Sequence, residues 1–236
     1  MHPALAIALA YVAGSFPSAY LAGKARGVDL RKHGSGNLGA TNVIRVLGTK
    51  IGLVVFAVDV AKGALPVLLL PRYTISSFPP VWLAIACGVS AILGHTRPVF
   101  LLFKRGGKGV ATAAGVFLAL APIQTLLVLI VFAVVLFTSG YVSLGSLISA
   151  TLLPVLIGVT LGPRSPVFTI SVLVAVFVYW THRANIGRLQ KGEEHRFGKA
   201  GAAPPSRRMA AALAIGLVVV LAVLVAARFA TSCAAQ

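Results

Sequence analysis

Three short stretches of this 236-residue sequence combine glycine, small polar side chains and fixed positive charge, the ingredients of a phosphate site. The first reads His33-Gly34-Ser35-Gly36-Asn37-Leu38-Gly39-Ala40-Thr41-Asn42-Val43-Ile44-Arg45. Glycines let the backbone turn N–H groups toward one point, while Ser35, Asn37, Thr41 and Asn42 add hydroxyl and amide donors and Arg45 adds a permanent charge. Gly34, Gly36 and Gly39 satisfy the dinucleotide pattern G-x-G-x-x-G, and Asp59 lies twenty residues beyond the last of them. That pattern needs a strand before it and a βαβ unit around it; here a basic loop precedes the glycines and an apolar run carries Asp59. What remains is an anion cradle.

The second stretch, Gly94-His95-Thr96-Arg97 followed by Lys104-Arg105-Gly106-Gly107-Lys108-Gly109-Val110, sets a lysine and backbone donors at the start of a helix, where the helix dipole favours an anion. It is not a Walker A loop, because Gly109 stands where the metal-binding Ser or Thr would be. Anchoring at a membrane surface accounts for two of the three cations Lys104, Arg105 and Lys108. The third stretch is His182-Arg183-Ala184-Asn185-Ile186-Gly187-Arg188-Leu189, then Gly192-Glu193-Glu194. On a continuing helix His182 and Asn185 share one face. Two of the protein's four acids sit here, and in such basic surroundings Glu193 or Glu194 is expected as a counter-ion holding the loops together. Ser143, in a short loop, is a further candidate ligand.

The elements that must position these residues are membrane spans. The chain is 58% hydrophobic and only 11% charged, against roughly 25% charged in soluble domains. Breaks at Pro, Gly and charge predict spans near 3–22, 51–70, 80–95, 109–122, 123–139, 143–162, 166–182 and 209–228. The expectation is an all-α polytopic membrane protein with a seven-helix core, a short fourth helix and an extra C-terminal eighth helix. Residues 1–198 form the core, and 199–236 a linker, the added helix and a tail. If the fourth helix crosses, loops 23–50, 96–108, 140–142 and 183–208 share one side and hold six, four, none and seven Lys and Arg. The opposite side keeps Arg72, Arg164 and Arg228, so the rich side is cytoplasmic and the N-terminus outside. The net charge of +17 is thereby mostly topology, and nucleic acid is excluded because the charge is interrupted by spans.

Met1 to Leu21 lacks the leading positive charge of a signal peptide and is expected to be a retained helix. Cys87 and Cys233 offer neither a disulfide framework nor a metal cluster. Asp59 and Lys62, three apart inside the second span, are expected to pair and brace the bundle. Gly48 with Gly52 and Gly158 with Gly162 have the spacing of close helix packing.

Taken together, the motifs resemble those of the bacterial acyl-phosphate:glycerol-3-phosphate acyltransferases, the PlsY family. The resemblance runs from Gly14-Ser15-Phe16-Pro17-Ser18-Ala19-Tyr20 through Gly34 to Asn42 and Gly106 to Thr112 to Asn185 and Glu194. It departs in the extra basic residue of Lys104-Arg105 and in the apolar run after Arg207-Arg208. It implies transfer of a fatty acyl group from acyl phosphate to the sn-1 hydroxyl of glycerol 3-phosphate, giving lysophosphatidic acid and phosphate, the first step of phospholipid synthesis in the bacterial inner membrane. No cofactor, metal or obligatory protein partner is implied. On the matching positions Ser35, Arg45, Lys108, His182 and Asn185 would be catalytic; Gly36, Asn37, Gly39, Thr41, Asn42, Gly106, Gly107 and Ser143 would bind substrate; and Asp59, Lys62 and Glu194 would be structural. The alternative is a transporter for a phosphorylated metabolite, with the same basic loops as a vestibule.

Overall fold

The computed structural model describes residues 1–75 and 79–197. The predicted helix 209–228 and its linker lie outside the described residues. Ten α-helices follow in order: α1 (Pro3–Gly14), α2 (Ser18–Lys24), α3 (Ala40–Leu47), α4 (Thr49–Leu69), α5 (Pro80–Thr96), α6 (Val110–Leu120), α7 (Pro122–Ser139), α8 (Val142–Leu161), α9 (Pro166–Thr181) and α10 (Arg183–Lys191). Among the described residues five stretches are long and apolar enough to cross a membrane, six if the pair α9 and α10, bent by 59°, counts as one span. The all-α membrane class is as expected. The fourth predicted span is α6, whose 11 residues rise only about 16 Å, well short of a bilayer core.

The first predicted span is interrupted. Pro17 has no N–H and disfavours helix at Phe16, so α1 stops at Gly14 and α2 restarts at Ser18. The break frees the carbonyl of Phe16, which accepts a hydrogen bond from Lys62 Nζ at 2.9 Å. Lys62 also lies 2.7 Å from Asp59 Oδ1, and Ser18 donates to the same oxygen at 2.7 Å. Asp59 is 1% exposed and Lys62 8%. The ion pair within α4 thus reaches across to the kink between α1 and α2, and His95 Nδ1 of α5 stands 3.7 Å from Asp59 Oδ1.

Helix α3 was not anticipated inside the first basic loop. Its signal is the spacing of Ala40, Val43 and Leu47, which turn one apolar face onto Ala19, Leu30, Leu38 and Val55. Gly48, at φ +93°, ends it and lets α4 begin one residue later.

The short α6 packs most extensively on α4. The contact is reciprocal: a Cβ on Gly63 would strike the Thr112 backbone, and one on Gly115 would strike the Val60 carbonyl. Of the glycine pairs at packing spacing, only one member of each packs. Gly52 lies on Ile44 and Gly158 on the Phe168 ring, whereas Gly48 and Gly162 end helices with open space beside them.

A buried ion pair that loses one partner leaves an uncompensated charge, costing about 3–5 kcal/mol. Asp59→Ala is therefore expected to lower the thermal unfolding midpoint of the detergent-solubilised protein by many degrees. Replacing both partners, as Asp59→Leu with Lys62→Met, is expected to recover most of the loss. Equal midpoints for the wild type and Asp59→Ala would show that the pair carries no stability.

Candidate active site

Four segments distant in sequence converge at one end of the bundle around a cavity of about 130 Å³. Two helix amino termini open onto it. Gly39, Ala40 and Thr41 line it at the start of α3, and Gly109, Val110 and Ala111 at the start of α6. The first N–H groups of a helix have no partner inside the helix, and the dipole gives that end partial positive charge, so two such ends aimed at one cavity favour an anion. Arg45, Lys108 and Arg188 add full charges to the wall, with Ser35 and Asn37 beside them.

One hydrogen-bonded chain links the far side of the cavity to the near side. Lys108 Nζ donates to Asn185 Oδ1. Asn185 Nδ2 donates to Glu194 Oε1 at 2.6 Å, an oxygen that also accepts from Ser143 Oγ at 3.0 Å. Arg188 Nε donates to Glu194 Oε2 at 2.8 Å. Burial pushes the Glu194 carboxyl up, but the bonds from Asn185, Arg188 and Ser143 outweigh it and hold the group below its ordinary value. Burial pulls the Lys108 ammonium down to about 8, only partly offset by Glu194 and reinforced by the cations Arg188, Arg105 and Arg45. Burial likewise lowers Arg45, which as a guanidinium stays charged.

His182 caps the end of α9, where its Nδ1 lies 2.8 Å from the Val178 carbonyl oxygen. Bonding to a carbonyl requires Nδ1 to carry the hydrogen, so Nε2 of the neutral ring is an acceptor.

Of the residues singled out by sequence, Ser35, Asn37, Gly39, Thr41, Arg45, Lys108, Ser143, His182, Asn185 and Glu194 all line this cavity. Others are used differently. Asn42 also touches it, but its amide is spent on the loop: Nδ2 donates to the carbonyls of Leu30 and His33, both at 3.1 Å, and Oδ1 accepts from Ser35 N at 2.8 Å. Asn42 therefore shapes the cradle and has no donor left for substrate. Gly36 closes a turn through its N–H to the His33 carbonyl, 3.1 Å away. The N–H groups of Gly106 and Gly107 are taken by the carbonyls of Thr96 and His95, at 3.0 and 3.3 Å. The glycine pair is thus tied back to α5 ahead of Lys108, and the backbone donors that this stretch turns to the cavity are those at the start of α6. Lys62 stands behind the cavity, whereas Asp59 and His95 form part of its wall.

Sequence reasoning overlooked His95 as a wall residue and gave Arg188 no part in the site. Arg188 could have been found from its position one turn after Asn185 on a basic helix. His95 could not, because its placement depends on how α5 packs against α4. Asn37, in the same wall, keeps a buried Oδ1 acceptor without a hydrogen-bond partner among the described residues.

The sequence family described as glycerol-3-phosphate acyltransferase matches residues 4–192. A glycerol-3-phosphate acyltransferase of Geotalea daltonii is 44% identical over 188 residues, covering 80% of this chain and 94% of the relative. One from Trichlorobacter lovleyi is 46% identical over 192 residues, covering 81% and 95%. Among solved structures, PlsY (YgiH), an integral membrane glycerol 3-phosphate acyltransferase in its glycerol 3-phosphate form, superposes with a TM-score of 0.76 at 38% identity, over 83% of this chain and 96% of that one. Its lysophosphatidic acid form gives 0.72 at 37% identity. Such similarity along nearly the whole length of the relatives, joined to a cavity built for an anion in an all-helical membrane bundle, makes this chain a member of the glycerol-3-phosphate acyltransferase family.

Proposed function

We propose that this protein transfers a fatty acyl group from acyl phosphate to the sn-1 hydroxyl of glycerol 3-phosphate, on the cytoplasmic face of a bacterial inner membrane. The observation that carries the reading is the meeting of two cavities of opposite character. The polar cavity holds Arg45, Lys108 and two helix amino ends, and it shares Val110, Phe132 and Ser146 with an apolar cavity of about 70 Å³ between α6, α7, α8 and α9. A substrate with a phosphate head and a hydrocarbon tail fits across that junction, with the carbonyl between the two environments. The cytoplasmic side follows from the excess of Lys and Arg in the loops that carry the site.

In this reading Ser35, Asn37, Gly39 and Thr41 hold the phosphate of the acyl donor at the start of α3, while Arg45 and Lys108 hold that of glycerol 3-phosphate. His182 Nε2 accepts from the attacking hydroxyl, and Asn185, tied to Glu194, keeps Lys108 in place. The hydroxyl oxygen attacks the acyl carbon, the bond to the donor's phosphate breaks, and phosphate departs with the displaced proton. Acyl phosphate is already activated, so positioning and charge stabilisation suffice without a covalent nucleophile. All the residues invoked lie in the core 1–198.

Arg45→Ala and Lys108→Ala in purified, reconstituted protein are each expected to lower kcat/KM for glycerol 3-phosphate by about 100-fold or more, the scale of losing a charged transition-state donor. Phosphate release that still depends on glycerol 3-phosphate and is undiminished in both variants would refute the assignment. An acyl thioester supplied in place of acyl phosphate is expected to give no product.

The pH dependence follows from Lys108. The charged ammonium binds phosphate, and its lowered value near 8 means that this form is lost as pH rises through about 8. Since a phosphomonoester with second pKa near 6 is fully ionised there, nothing on the substrate compensates. kcat/KM is expected to fall about tenfold per pH unit above that point, as for loss of one essential proton from the free enzyme. The fall is expected to vanish in whatever activity Lys108→Arg retains.

A further inference from the structure

Between α5 and α6 the chain folds back as a hairpin. Gly106 N donates to the Thr96 carbonyl at 3.0 Å and Phe103 N to the Pro98 carbonyl at 3.0 Å; the tip is tightened by Leu102 N on Val99 O at 2.9 Å and Lys104 N on Leu101 O at 3.1 Å. Pro98 is buried, and Leu101 turns inward onto the cluster that holds Ala19, Leu30 and Leu38. Phe100, Leu102 and Phe103 point away from the protein, 57%, 78% and 58% exposed. Leu102 and Phe103 reach that orientation with φ of 52° and 58°, in the left-handed region that bulky side chains avoid. The fold therefore spends backbone strain to turn two large apolar side chains outward rather than in.

Exposed apolar side chains along the spans face lipid tails, but this tip straddles the charged end of its span, with Phe100 in the last turn and Leu102 and Phe103 just past it. Lys104 and Arg105 follow directly and are exposed. Leu30, of the cluster against which Leu101 packs, lies in the loop after α2, whose Arg26 and Lys32 are exposed, as is Lys24 at the end of α2. The result is an apolar tip rimmed by cations, the chemistry of a segment that sinks to the boundary between headgroups and acyl chains of an anionic leaflet.

We propose that the Pro98–Arg105 hairpin docks into the anionic headgroup layer beside the active site, with Phe100, Leu102 and Phe103 in the acyl boundary and Lys104 and Arg105 on lipid phosphates. The partner is a lipid surface rather than a protein, because the exposed apolar groups form a small tip within a basic rim and no groove. The proposal does not depend on the reaction catalysed.

The test places an environment-sensitive nitrobenzoxadiazole label on Leu102→Cys in the full chain carrying Cys233→Ser; the remaining Cys87 is buried and does not react. The protein is reconstituted in vesicles of phosphatidylcholine, with or without phosphatidylglycerol, containing lipids with a quencher on the acyl chain. Stronger quenching and a blue-shifted emission are expected when phosphatidylglycerol is present. Lys104→Gln with Arg105→Gln is expected to weaken that lipid-charge dependence by roughly fivefold per cation, from about 1 kcal/mol for each near an anionic surface. A second label at Phe100→Cys guards against a local effect of the first. Water-like emission in both vesicles at both positions, equal quenching with and without phosphatidylglycerol, or shielding that appears only when soluble protein is added would each overturn the proposal.

Discussion

Cations that share a half-buried cavity repel one another, and the site can exist only if something offsets that repulsion before substrate arrives. Arg45, Lys108 and Arg188 stand in one wall with two helix amino ends. Asp59 also faces the cavity, but its charge is already matched by Lys62. The compensation falls to Glu194, which bonds Arg188 directly and Lys108 through Asn185. Each carboxylate oxygen is engaged, so Glu194 stays ionised and acts as a fixed negative centre around which α8, α10 and the α6 loop are arranged. Since the cations outnumber it, the cavity keeps a positive excess.

Two ionic centres thus organise the molecule at different depths. The outer one, at Glu194, borders the cavity, with the Arg188 side chain 31% exposed. The inner one, Asp59 with Lys62, is buried between helices and uses the chain break at Phe16-Pro17 as its third partner. The Pro17 kink that interrupts the first span is therefore what supplies an acceptor for a buried ammonium. His95 links the levels: its backbone carbonyl holds Gly107 while its ring faces Asp59.

The sequence made much of this legible. Glycine, hydroxyl and basic residues at short spacing identified the loops that line the cavity, because phosphate chemistry needs those residue types together. Hydropathy identified the apolar runs, because a bilayer demands length and apolarity. What it could not show is which donors face inward. Asn42, Gly106 and Gly107 have the right chemistry for phosphate, yet their groups are consumed by neighbouring carbonyls whose approach is decided by tertiary packing. Helix α3 escaped notice because its single apolar face is short and lies within a glycine-rich, charged stretch. The partial use of the Gly48/Gly52 and Gly158/Gly162 pairs has the same cause: spacing alone does not say whether a glycine meets another helix or ends its own.

The reciprocal glycine contact between α4 and α6 acts as a key in each direction, with the backbone of one helix seated in the gap left by the other's missing side chain. Sliding by a turn would drive a larger side chain into a carbonyl, so the two helices hold one register. One carries Asp59 and the other starts two residues after Lys108, and the distance between the two ionic levels is thereby set. Alternating access demands that one half of a protein rock against the other around a central site. A bundle keyed at its middle gives up that freedom and keeps its working parts in loops and side chains, a bargain that suits a surface where two molecules meet and react, and not a gate through which one passes.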